Sequence, residues 1–247
     1  MKKQKHFFSK ILPAFIKKRV ALWSNGRYAL PLGSVSMGDF KKISPIRKNF
    51  GLDYGQPVDR YYIEQFLSEN SEEIKGRVLE IGDNIFTLKF GGNKVTKSDI
   101  LHIDKNHAGA TIWGDLSSAD HIPTGIFDCI ILTQTLHLIF DFRAAIRTLN
   151  RILKPAGVLL ITVPGISQID ETEWGHSWYW SFTQHSAKRL FEEIFPPEKV
   201  NISIYGNVFA ATAFLHGLVA EELPRKKLDC RDPYYPISIA IRAGKSH

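Results

Sequence analysis

Two long apolar runs separated by a helix-period segment constrain this chain more than anything else in it. Phe127-Asp128-Cys129-Ile130-Ile131-Leu132 and Val158-Leu159-Leu160-Ile161-Thr162-Val163 lack polar alternation, so each reads as a strand covered on both faces. Between them, residues 141–153 place Ile146, Leu149, Ile152 and Leu153 at helical spacing, and Lys154-Pro155-Ala156-Gly157 closes the helix. Strands joined by a crossover helix are parallel neighbours.

The same alternation extends in both directions. A helix is expected over 58–67, with Pro57 in its first turn, then strands over 77–81, 99–103 and 110–113. Beyond the second apolar run come a helix over 184–195, a strand over 199–204, a long apolar helix over 208–223 and a last strand over 236–241. The predicted fold class is α/β: a Rossmann-like, doubly wound, mostly parallel sheet of about seven strands with helices on both faces.

The 247 residues, 44% apolar and 12% aromatic, suffice for one such domain with additions. A net charge of +7 suggests nucleic-acid binding until it is located. Residues 1–38 hold eight Lys and Arg and no acid, so residues 39–247 sum to −1 and present no basic face. No nucleic-acid partner is expected. In the basic arm, Phe8, Ile11, Leu12, Phe15 and Ile16 follow helical spacing, which suits peripheral contact with an anionic membrane surface or packing on the domain. Residues 1–56 read as this arm plus an irregular Gly-, Ser- and Pro-containing connection, and residues 57–247 as the domain, with a cofactor half at 76–165 and substrate and lid elements at 166–247. Cys129 and Cys230 have no metal spacing; Cys129 sits in an apolar run as a reduced thiol would, which points to a cytoplasmic setting and no metal.

Acidic residues close the first three strands: Glu80 before Gly82, Asp104 after the second and Asp115 after the third. In an open α/β sheet these would line one edge, where carboxylates accept hydrogen bonds from ribose hydroxyls or an exocyclic amine and a glycine admits close backbone approach. The spaced glycines of a dinucleotide fingerprint are missing after Gly82, which disfavours a nicotinamide enzyme.

The ordered segments Val78-Leu79-Glu80-Ile81-Gly82, Leu101-His102-Ile103-Asp104, Gly114-Asp115, residues 127–137 and residues 153–164 resemble the class I, Rossmann-like S-adenosylmethionine-dependent methyltransferases, in particular the methyltransferase type 11 group. The resemblance implies S-adenosyl-L-methionine as cofactor. It puts Glu80 and Gly82, with Asp83 in the same turn, beside the methionine part, Asp104 at the ribose, Asp115 and Leu116 at the adenine, and Thr133 and Gln134 in the cavity after the fourth strand. Asp83 and Asn84 stand where the family carries small residues, and Ala156 replaces a glycine of a Lys-Pro-Gly-Gly turn.

Residues 59–64, 163–168 and 178–183 are also similar to bacterial methyltransferase-like proteins found beside sugar-transfer enzymes. O-methylation of a sugar, glycan precursor or small metabolite is the expected activity. A non-catalytic member of the fold serving as a partner in polysaccharide assembly is the alternative. His137 is the first candidate for the base and His176 the second, each with a purely structural role as the plainer reading. Trp178, Tyr179 and Trp180 suit a lid that stacks on a sugar or covers a sulfonium, and Arg60, Tyr61 and Tyr62 could close the cofactor from the N-terminal side.

Overall fold

A computed structural model describes residues 34–171 and 174–246, so the basic arm before residue 34 lies outside the described residues. The chain divides into two compact units, Met1–Ile43 and Ser44–His247. The described part of the first holds one 3-10 turn, Gly38–Lys41. The second carries the whole sheet.

Seven strands lie in the order β3-β2-β1-β4-β5-β7-β6. They are β1 (Gly76–Ile81), β2 (Val95–His102), β3 (Ile112–Trp113), β4 (Phe127–Thr133), β5 (Leu153–Pro164), β6 (Val200–Tyr205) and β7 (Ser238–Gly244). The first five are mutually parallel, and β7 runs antiparallel between β5 and β6. The apolar runs that promised central strands are β4 and β5, side by side at the middle of the sheet.

Period-two alternation sends neighbouring residues of each strand into opposite cores. Val78, Cys129, Ile131, Val158 and Leu160 pack with α1 (Val58–Glu69) and Phe214 of α4 (Val208–Leu215). Leu79, Ile130, Leu132, Leu159 and Ile161 pack with α2 (Phe142–Ile152) and α3 (Gln184–Glu192). Helices therefore cover both faces. Side-chain caps start three of them: Asp141 accepts from Ala144 N, Thr183 and Ser186 form a reciprocal box, and Asn207 accepts from Ala210 N.

Two elements depart from expectation. The apolar stretch 208–223 is helical only to Leu215, because Gly217 turns at φ +71° and the Leu218 amide folds back on Ala213 O at 3.0 Å. A Cβ at Gly217 would also lie 2.1 Å from Arg47 O. The helix stops there, and the short α5 (Arg225–Leu228) follows a separate turn. The second difference is at β2: after a compact crossover from β1 with a π-helical segment, Thr87–Gly91, the strand expected over 99–103 starts at Val95 and ends at His102, two residues before Asp104.

Candidate active site

The strand order reverses at β1, whose neighbours β2 and β4 lead to opposite sides of the sheet, and a crevice opens at the carboxyl ends there. It holds a cavity of about 590 Å³. Its wall comes from four successive strand ends: Glu80, Ile81, Gly82 and Asp83 after β1, His102 and Ile103 after β2, Gly114, Asp115 and Leu116 after β3, and Thr133, Gln134 and Thr135 after β4. Arg60 of α1 and Trp174 and His176 of the loop after β5 complete it.

The turn after β1 is held by its own side chains. Glu80, 2% exposed, accepts from Phe86 N at 3.2 Å, Thr87 N at 2.7 Å and Thr87 Oγ1 at 2.7 Å. Desolvation pushes its carboxyl up to about 7, against the pull of those donors and with help from the nearby Asp83 charge. Glu80 thus shapes the turn with its carboxylate instead of offering it openly to a ligand. Asp83 Oδ1 caps the next turn by accepting from Ile85 N at 2.9 Å, and Asn84 Nδ2 donates to Ser98 Oγ at 3.2 Å, tying the loop to β2. The two residues that replace small ones are therefore the loop's fastenings. Gly82 has φ +93°, and a Cβ there would meet nothing within 4 Å, so the backbone itself borders open cavity.

Asp115 Oδ1 accepts from Ser117 N at 2.8 Å and sets the turn that presents Leu116. Asp104 lies outside the cavity. It is exposed, its carboxylate accepts from Asn106 N at 2.9 Å, and its own N–H donates to His102 Nδ1 at 3.0 Å. The early end of β2 moved it past the rim and left His102, stacked on His107 with ring centroids 3.9 Å apart, at the edge instead.

A second cavity of about 240 Å³ shares Arg60, Gln134, Leu138 and Trp174 with the first, so the two adjoin. Asp59, His137, Ser167, Asp170 and Trp178 line only this one. Gln134, at the junction, holds φ +45°, a left-handed backbone that a side-chain-bearing residue rarely adopts, while its N–H donates to Thr162 O at 2.9 Å. Its amide Nε2 is buried with no partner among the described residues, as is His137 Nδ1. His137 is 1% exposed, its ring lies 4.2 Å from that of Trp178, and desolvation lowers its pKa to about 4.

Of the aromatic loop, Trp178 reaches the second cavity, whereas Tyr179 and Trp180 line neither. Their N–H groups pin the loop to His137 O at 3.1 and 3.3 Å, and the Trp180 indole donates to Ile139 O and Phe140 O, both at 3.2 Å. Tyr61 and Tyr62 are also away from both cavities: their hydroxyls donate to Asp229 Oδ1 at 2.6 Å and Leu228 O at 2.9 Å. Helical geometry explains the split, since Arg60 and Ile63 share one face of α1 and the two residues between them turn away. Asp59, His102 and Asp170 were missed as site residues by motif reading, whereas Trp174 belongs to the aromatic loop expected to form a lid. Asp59 sits inside a segment the resemblance picked out, and no spacing rule singles out His102 or Asp170.

The profile of a family described as a methyltransferase domain matches residues 58–195. Among solved structures, an S-adenosylmethionine-dependent methyltransferase from Archaeoglobus fulgidus superposes with a TM-score of 0.52 at 14% identity, covering 75% of this chain and 94% of that one. Another, from Mesorhizobium loti, gives 0.50 at 14% identity, covering 78% and 100%. The 4+2 cyclase SpnF gives 0.50 at 15% identity, covering 83% and 87%. At such identities the likeness is one of fold, and a cyclase among the neighbours shows that the fold alone does not select a reaction. No curated protein matches in sequence.

Proposed function

This chain belongs to the class I S-adenosylmethionine-dependent methyltransferases, and on that premise we propose that it binds S-adenosylmethionine in the larger cavity and methylates a hydroxyl of a sugar, glycan precursor or small metabolite. The observation that carries the reading is the convergence of four strand ends on one cavity with backbone laid bare at Gly82. The residues present fit the cofactor. A side chain at Gly82 would project into the space, Asp115 and Leu116 stand at the end of β3 for the adenine, and Gln134 brings an unpartnered amide donor.

When bound, S-adenosylmethionine supplies an electrophilic methyl group on a sulfonium. The chain's part is to bind, align and exclude water. Glu80, Asp83 and Asp115 put acidic groups around the space, which favours a cationic ligand over a neutral one. Asp83 and Asn84 hold the turn rigid, so little conformational freedom is lost on binding. Trp174 and His176 close the outer side. Alignment of acceptor and methyl group supplies on the order of 7–11 kcal/mol in such displacements.

Among the described residues no helix is long and apolar enough to cross a membrane, and no cluster of His, Cys, Asp or Glu could hold a metal ion. Cys129 and Cys230 are both free thiols, the first buried, which suits a reducing compartment.

Titration calorimetry with S-adenosylmethionine, S-adenosylhomocysteine and NAD tests the reading. Heat with both sulfur compounds and none with NAD is expected. Absence of heat with either sulfur compound would defeat it and leave the fold as an interaction module, the role the altered loop otherwise suggests.

A further inference from the structure

Resting on the methyltransferase reading, we propose that the smaller cavity is the acceptor subsite, that it takes one neutral sugar ring or a polyol of similar size, and that Asp59 receives the proton of the hydroxyl being methylated. The cavity adjoins the cofactor space through four shared residues, so a molecule held there faces the reacting end of the larger site. At about 240 Å³ it falls below the roughly 300–1,000 Å³ usual for drug-sized ligands, which favours a single ring.

The lining has the chemistry of sugar recognition. Indoles of Trp174 and Trp178 offer apolar faces, and Asp59, Asp170 and Ser167 offer oxygen acceptors. Two buried polar atoms in this wall, Gln134 Nε2 and His137 Nδ1, have no partner among the described residues, and a buried group left so costs stability until something pairs with it. A ring bearing several hydroxyls can pair with both. Charge narrows the class further: among the described lining residues Arg60 is the one Lys or Arg, and the Asp59 carboxylate lies beside it, a poor setting for a phosphorylated or nucleotide-linked acceptor.

Asp59 is a better proton acceptor than His137. Its Oδ1 accepts from Arg60 N at 2.8 Å, which fixes the carboxylate beside the residue common to both cavities. Desolvation raises its pKa above the ordinary carboxylate value, making it a stronger base than an exposed aspartate. His137 is shifted the other way, and its ring packs at a tilt against that of Trp178, so it positions that indole. In the step, the acceptor O–H bond breaks as the O–CH₃ bond forms, the proton passes to the Asp59 carboxylate, and the electron pair of the severed S–CH₃ bond stays on sulfur as a neutral thioether.

The test uses the full chain saturated with S-adenosylhomocysteine and titrated with methyl α-glucoside, methyl α-mannoside and methyl α-rhamnoside, read by tryptophan fluorescence. A fully O-methylated glucoside serves as control. At least one free glycoside should shift the signal, the control should not, and Trp178→Ala should weaken that glycoside by about tenfold or more while cofactor heat is retained. With S-adenosylmethionine and that glycoside, Asp59→Asn should lower kcat about a hundredfold, and Asp59→Glu should restore part of it. KM should move less than about threefold in Asp59→Asn, which separates proton removal from binding. His137→Gln should lower kcat far less than Asp59→Asn. No response to any glycoside with cofactor bound, or full turnover in Asp59→Asn, would overturn the proposal and leave the methyltransferase reading standing. No cofactor heat at all would overturn both.

Discussion

The two adjoining cavities treat their polar groups in opposite ways. Around the larger one, Glu80, Asp83 and Asp115 already accept hydrogen bonds from the backbone that forms the wall. In the smaller one, His137 Nδ1 is buried with no partner among the described residues, and Gln134 Nε2, likewise unpartnered, stands at the junction of the two. A wall that satisfies itself is rigid before any ligand arrives, whereas a wall with orphaned donors or acceptors is completed only by what it binds. Burial disfavours the charged form in both, which raises the Glu80 carboxyl beside the first and lowers the His137 imidazole beside the second. The first cavity is built to keep its shape, and the second to select.

That contrast can be broken most forcefully at Glu80. Glu80→Ala removes the acceptor of three buried donors and should cost about 3 kcal/mol in urea unfolding. A change below about 1 kcal/mol would show that the turn does not depend on it.

The pH dependence comes next in size. Glu80 has a folded pKa of about 7 against 4.5, so its contribution is intact below about pH 4.5 and is lost as pH rises through 7, up to about 3 kcal/mol. His137 has a folded pKa of about 4 against 6.5, so its contribution is intact above about pH 6.5 and is lost as pH falls through 4, by a similar amount. Stability curves from pH 4 to 8 for Glu80→Gln and His137→Leu should therefore differ from wild type with opposite slopes. Parallel curves would remove the distinction between the two cavities.

A smaller effect is expected at Asp115. Asp115→Asn keeps an oxygen to cap Ser117 N but removes the charge, and should weaken S-adenosylmethionine about tenfold by calorimetry without lowering the melting temperature. Asp104→Asn, outside the cavity, should leave that affinity unchanged. Smallest is Ala156→Gly, far from either cavity. Ala156 holds φ +61°, which an L side chain resists, and glycine there should raise stability by about 0.5–1 kcal/mol.

Much of the architecture was legible because it rests on local periodicity. The uninterrupted apolar character of residues 127–132 and 158–163 announced central strands, and they are β4 and β5. Elements set by distant contacts were less legible. The apolar stretch 208–223 carries no local stop signal stronger than Gly217, and its end is enforced by the backbone of Arg47. The early close of β2 follows from the compact crossover before it. Tyr61 and Tyr62 show a related limit: a motif names neighbours in sequence, but on a helix only every third or fourth residue faces the same cavity.

By itself, then, the sequence determined the sheet, its parallel core, the strand ends that carry acids and the neutrality of the domain body, because each depends on spacing and residue type alone. The tertiary structure decided which of those acids border the cavity, that Glu80 and Asp83 serve the turn itself, and that Asp59 of α1 and Trp178 of the loop after β5 meet at a second cavity. Such meetings depend on where a helix face and a loop are placed in space, and no local pattern encodes that placement.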